Sequence, residues 1–141
     1  MRWILALISL LSFVAPSFGQ LSGPLSGTLG PGIYHVVGEI SINSGDSLRL
    51  LPGTTFIFDG SYRFRIYGQL LAEGTESDSI VFTTYQSGSN RWKGLRFDGS
   101  NSSGSRLAYC LIEKGRAYGP SGLDWQGGGI FCYYASPTFT N

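Results

Sequence analysis

Apolar residues in this chain come in short runs divided by turn-forming residues: IYHVV, EISI, LRLL, TFIF, FRIYGQLL, SIVFTT, LRF, LAYCLIE and GGIFCYY. Runs of this length, rich in Ile, Val, Phe and Tyr and bounded by Gly, Pro, Asn, Asp and Ser, predict β-strands. No window repeats apolar residues at helical spacing for long enough to predict a helix. Side chains alternate across a strand, so FRIY places Phe64 and Ile66 inside with Arg63 and Arg65 outside. In the same way LRF places Leu95 and Phe97 inside and Arg96 outside. Phe56, Phe58, Ile80, Phe82, Ala108, Cys110, Ile112, Ile130 and Cys132 complete the expected interior. The fold class expected is all-β.

Two features favour stacked coils over hairpins. SIVFTT and GGIFCYY are almost continuously apolar, as parallel strands covered on both faces tend to be. Strand-plus-turn phrases also recur: FIFDG at 56–60 returns as LRFDG at 95–99, and AYC at 108–110 is echoed by IFC at 130–132. Cys110 and Cys132 are 22 residues apart, a suitable length for one coil of a solenoid. In such a fold each coil supplies two or three strands, and successive coils stack about 4.8 Å apart.

The first twenty residues, MRWILALISLLSFVAPSFGQ, have one positive charge, an apolar stretch and then small residues, the layout of a secretory signal cleaved near Gly19. The apolar stretch is shorter than the ~20 residues of a membrane-spanning helix. Residues 1–19 are thus expected to be a signal peptide and residues 20–32, rich in Gly, Pro and Ser, an extended leader. Ordered coils should occupy 33–141.

The order of YHVVGEISINSGDSLRLLPGTTFIFDG, IYGQLLAEGTESDSIVFTT, RWKGLRF, LAYCLIEKG and GGGIFCYYASPTFTN resembles the opening of bacterial secreted right-handed parallel β-helix repeat proteins. Their fold is shared with pectin and pectate lyases. The resemblance covers residues 33–141 and implies a right-handed solenoid. It also implies that the chain is an N-terminal fragment, because such proteins continue with further coils past the position of Asn141.

Composition narrows the partners. Only 13% of residues are charged, and without Arg2 the basic and acidic residues balance at nine each, so nucleic acid and anionic membrane are poor partners. Asp59 and Asp98 each follow a strand ending in Phe and precede Gly. If SIVFTT forms the coil between them, they lie about 9.6 Å apart, near the ~6.5–9.5 Å separation of inverting glycoside hydrolases. Asp-Gly more simply makes the turn leaving each strand. His35 has no ligand partner at metal spacing. Glu73, Glu76 and Asp78 share the loop EGTESD and are candidate Ca²⁺ donors, or simply a solvated turn. The glycines at 127–129 read as a tight corner, since no P-loop residues follow. Asn101-Ser102-Ser103 is a formal glycosylation sequon. Cys110 and Cys132 are expected on successive coils, as a packed ladder of reduced thiols or a disulfide. Trp92 is expected to pack within the WKGL step. Tyr118, Trp125, Tyr133 and Tyr134 offer aromatic faces for sugar rings, with residues 115–126 forming an excursion loop.

No catalytic constellation, cofactor site or metal set emerges. The expected function is a secreted or cell-surface scaffold that binds polysaccharide or an envelope component, with no membrane span after signal cleavage. The competing class is a polysaccharide lyase or glycoside hydrolase with its catalytic coils beyond residue 141.

Overall fold

The computed structural model describes residues 19–141, so the expected signal segment lies outside the described residues apart from Gly19. Thirteen strands follow in order: β1 Gly19–Pro24, β2 Gly27–Leu29, β3 Gly32–Ile42, β4 Ser47–Leu50, β5 Thr54–Phe58, β6 Phe64–Ile66 and β7 Gln69–Glu73. The others are β8 Ile80–Thr83, β9 Leu95–Asp98, β10 Arg106–Ala108, β11 Cys110–Ile112, β12 Ile130–Tyr133 and β13 Thr138–Thr140. Three 3-10 turns are the only helical pieces among the described residues. The chain is all-β.

Every strand pairing is parallel, and the strands fall into three stacks. The first half of β3 pairs with β5, which pairs with β8, which pairs with β11. The second half of β3 pairs with β6, then β9, then β12. The third stack runs β2, β4, β7, β10, β13. Strand β1 lies against both halves of β3. A curled arrangement of parallel strands in repeating triplets is compatible with a β-solenoid.

The interior is built from ladders of like side chains, because parallel register stacks each residue on its equivalent in the next coil. Tyr34, Phe56, Phe82 and Ile112 form one such column, at separations of 22, 26 and 30 residues. Ile40, Phe64, Leu95 and Ile130 form another, at 24, 31 and 35 residues. Phe56 meets Tyr34 and Phe82 edge-on at 5.9 and 5.6 Å, a favoured aromatic geometry. Phe56, Phe58, Phe64, Ile66, Ile80, Phe82, Leu95 and Phe97 are all buried as the alternation predicts.

The widening separations come mainly from one corner. The connection from first to second stack grows from residues 59–63 to 84–94 to 113–129, or 5, 11 and 17 residues. The two longest excursions therefore lie at the same corner, where loops can build a surface on a rigid frame. Within the second of them Trp92 turns inward, stacks on Phe58 at 4.3 Å and donates its indole N–H to the carbonyl of Glu113 at 2.8 Å.

Three expectations are corrected here. Ordered strands begin before residue 33, since β1 and β2 precede it and pair with β3 and β4, while Leu21, Leu25 and Leu29 pack against the core. Ala108 does not face inward: its neighbour Leu107 does, aligned with the buried Ala72. Finally, FIFDG and LRFDG belong to different stacks, β5 to the first and β9 to the second.

Candidate functional site

The outer face of the second stack carries the densest chemistry. Its outward column runs Ser41, Arg65, Arg96, Phe131, each paired with the next. Arg63 immediately precedes β6, and its backbone N–H donates to the Glu39 carboxylate at 2.9 Å. Arg63 is only 5% exposed and Arg96 only 8%, although both project away from the core. What covers them is the 17-residue excursion at 113–129.

That excursion delivers Asp124. A 3-10 turn at Gly122–Trp125 orients its carboxylate, which accepts hydrogen bonds from the Ser121 hydroxyl at 2.8 Å and the Ser121 backbone N–H at 3.2 Å. Arg63 then donates to the same carboxylate at 2.6 Å. The Ser121 hydroxyl and the Arg63 guanidinium hold the Asp124 carboxyl down at about 2, so it is ionised across the neutral and mildly acidic range. Arg96 is less well served. Its nearest carboxylate oxygens, on Asp98 and Asp124, are both at 3.6 Å, and its Nε is buried with no hydrogen-bond partner. Its guanidinium also lies 5.0 Å from the centre of the Phe131 ring, within cation–π range.

Aromatic side chains flank this charge cluster. Tyr118 and Trp125 meet edge-on at 4.9 Å on the loop, and Tyr133 and Tyr134 meet edge-on at 4.5 Å at the end of β12. Phe131 lies beside Tyr133 at 6.3 Å. The four aromatics expected to contact sugar thus form two close pairs. Trp125 is 58% exposed and Tyr134 80%, so each presents a free ring face.

The remaining candidates are placed as follows. Asp59 and Asp98 do not share an edge, because β5 and β9 belong to different stacks and β8, not β9, pairs with β5. The inverting-hydrolase spacing inferred from a common edge does not apply. Asp59 instead faces His35, whose Nδ1 lies 2.8 Å from one carboxylate oxygen, a pair the sequence spacing concealed. Glu73 is engaged by Arg106 at 2.9 Å, and Thr75 accepts from the backbone of Asp78 in a closed turn. Glu73, Glu76 and Asp78 form no converging donor set; among the described residues no group of three His, Cys, Asp or Glu side chains does.

Cys110 and Cys132 are free thiols. They align with the inward residues Ile80 and Phe97, but in different stacks of the last coil, so they form no ladder between successive coils. Cys110, Ile112, Ile130, Leu107 and Phe139 line a concavity of about 300 Å³ at that end of the core. Burial pushes the Cys110 thiol up to about 11, whereas Cys132 is exposed. At pH 8 such a thiol is thiolate in about one part per thousand. Iodoacetamide should therefore alkylate Cys132 well ahead of Cys110 in the native chain, as peptide mass mapping over time would report. Equal rates would contradict the assigned environments.

No protein-family model matches the chain. No solved structure matches it either. A 52-residue segment is 42% identical to part of the Drosophila melanogaster protein named Protein bark beetle. That segment is 37% of this chain and 2% of that protein's length, so the likeness assigns no family.

Proposed function

We propose that this chain is a right-handed parallel β-helix of the pectin-lyase-like kind, exported through its N-terminal segment, that binds polysaccharide at the cell surface or outside it. Handedness is supported by general stereochemistry, since connections between parallel strands of one sheet are right-handed in nearly all proteins. Export is supported by the charge, apolar and small-residue layout of the first twenty residues. The observation that carries the binding role is the pair of aromatic couples, Tyr118 with Trp125 and Tyr133 with Tyr134, set on one outer face of a rigid strand stack. Sugar rings have apolar faces with polar rims, which such surfaces match without any cofactor.

Binding should be detected by passing the full chain through gels containing plant, algal or bacterial polysaccharides and measuring retardation. Trp125→Ala is expected to weaken retention by about threefold to tenfold, the worth of one aromatic contact of ~0.5–1.5 kcal/mol. The exposed Tyr85, on the second excursion, serves as control, and Tyr85→Ala should leave retention unchanged. Retention that responds to neither substitution would remove the aromatic face from the binding role.

A further inference from the structure

We propose that Arg63 and Arg96 form a binding site for the oxyanion of a charged sugar, a carboxylate or sulfate, with Asp124 as the chain's own placeholder. The inference rests on the glycan-binding reading above and names the class of glycan. Three observations converge on it.

The first is an unsatisfied donor under cover. Both guanidiniums are more than nine-tenths buried on an outward-facing surface. Buried cations are costly unless paired and hydrogen-bonded. Arg63 meets that condition through Asp124 at 2.6 Å, but Arg96 does not. Both of its carboxylate contacts stand at 3.6 Å, outside hydrogen-bond range, and its Nε is buried and unpartnered. Asp124 reaches both forks and Asp98 reaches Arg96 only at 3.6 Å, so the buried Nε–H is a donor to spare for a further oxyanion oxygen.

The second is where that carboxylate comes from. Asp124 is not part of the strand frame; it arrives on the 113–129 excursion, the longest of the chain's corner connections, which contains six glycines. A placeholder on such a loop can be displaced while the arginines stay fixed by β6 and β9. The third is the surroundings. Phe131 lies beneath the Arg96 guanidinium, and Tyr118, whose ring meets the exposed Trp125 at 4.9 Å, has its carbonyl 3.5 Å from the Arg63 guanidinium, so the aromatic couple and the arginines share one corner. Planar guanidinium forks grip carboxylate and sulfate oxygens through paired N–H donors, which an ammonium cannot reproduce.

The test is calorimetric titration of the full chain with three oligosaccharides of equal length, one carrying uronates, one sulfated and one neutral. The charged ligands should bind, and whichever binds more tightly identifies the oxyanion. Asp124→Asn, which removes the placeholder's charge from an excursion loop, should raise that affinity by about tenfold, the worth of one charge-assisted hydrogen bond. Arg96→Gln should lower it by about tenfold or more, and Arg96→Lys should restore little because the fork is lost. Asp124→Asn carries the test alone if the arginine variants fail to fold. Affinity unchanged or reduced in Asp124→Asn overturns the inference. Neutral and charged ligands binding equally well overturns it while leaving the scaffold role standing, whereas a chain that binds none of the three loses both.

Discussion

Replacing Trp92 with alanine should lower the stability of the chain by about 3–5 kcal/mol, the usual cost of deleting a fully buried large aromatic side chain. Trp92 is wholly inaccessible although it lies in a connection and not in a strand. It stacks on Phe58 at 4.3 Å and lies over Phe82 at 6.5 Å, so its removal opens a void between two rungs of the first stack. Its indole N–H also satisfies the Glu113 carbonyl at 2.8 Å, at the root of the excursion that carries Asp124. Trp92→Phe should therefore cost less, about 1–3 kcal/mol, mainly for the stranded carbonyl. Urea unfolding followed by circular dichroism separates the two variants. A loss below about 1 kcal/mol for the alanine variant would show that the indole does not help bind the rungs together.

Gly94→Ala is the second large expected effect, about 2–3 kcal/mol. Gly94 has φ of +87°, where an L-residue is strained, and an added Cβ would come within 2.8 Å of the carbonyl oxygens of both Gly128 and Gly129. Those atoms are backbone and cannot rotate away. They belong to the next coil, and the Gly129 carbonyl accepts from the amide of Leu95 at 2.8 Å. The substitution should thus pry β9 from β12 at its first bond. Gly88→Ala provides the comparison, with φ of +59° but open space around the added carbon. It should cost only about 1 kcal/mol of backbone strain. Equal losses for the two variants would mean that steric approach between coils contributes nothing at Gly94.

Much of the core was legible because alternation along a strand is a local property. Phe64 with Ile66 and Leu95 with Phe97 face inward as their spacing demands. The pattern failed where the chain turns without a conspicuous turn residue. At Tyr109 the backbone takes a positive φ of 49°, which breaks the parity of LAYCLIE, so Leu107 and Cys110 both align with buried residues. An uninterrupted strand could not place residues three apart on one face. The strands of the leader leave little trace in the sequence for a different reason. Strand β1 is held by parallel backbone pairing to β3, and GQLSGP carries only one large apolar residue to announce it.

The corner excursions explain why coil length was hard to read. With connections of 5, 11 and 17 residues at one corner, no fixed period exists, and phrases such as FIFDG and LRFDG match by composition while occupying different stacks. Assigning Asp59 and Asp98 to one edge followed from that false equivalence. The aromatic part of the candidate site was legible because Tyr118 and Trp125 stand in one loop. Its charged part was not, since Arg63 and Asp124 are 61 residues apart and meet only when the third excursion folds over the second stack. The available signal was three arginines placed outward, Arg63, Arg65 and Arg96, in a chain that spends few residues on charge.

The most direct test of the account is a crystal structure of the full chain that fixes the hand of the coil and the register of the first stack. A right-handed path with Phe56 between Tyr34 and Phe82 in parallel register is the expected result. Antiparallel hairpins, or a left-handed coil, would contradict it.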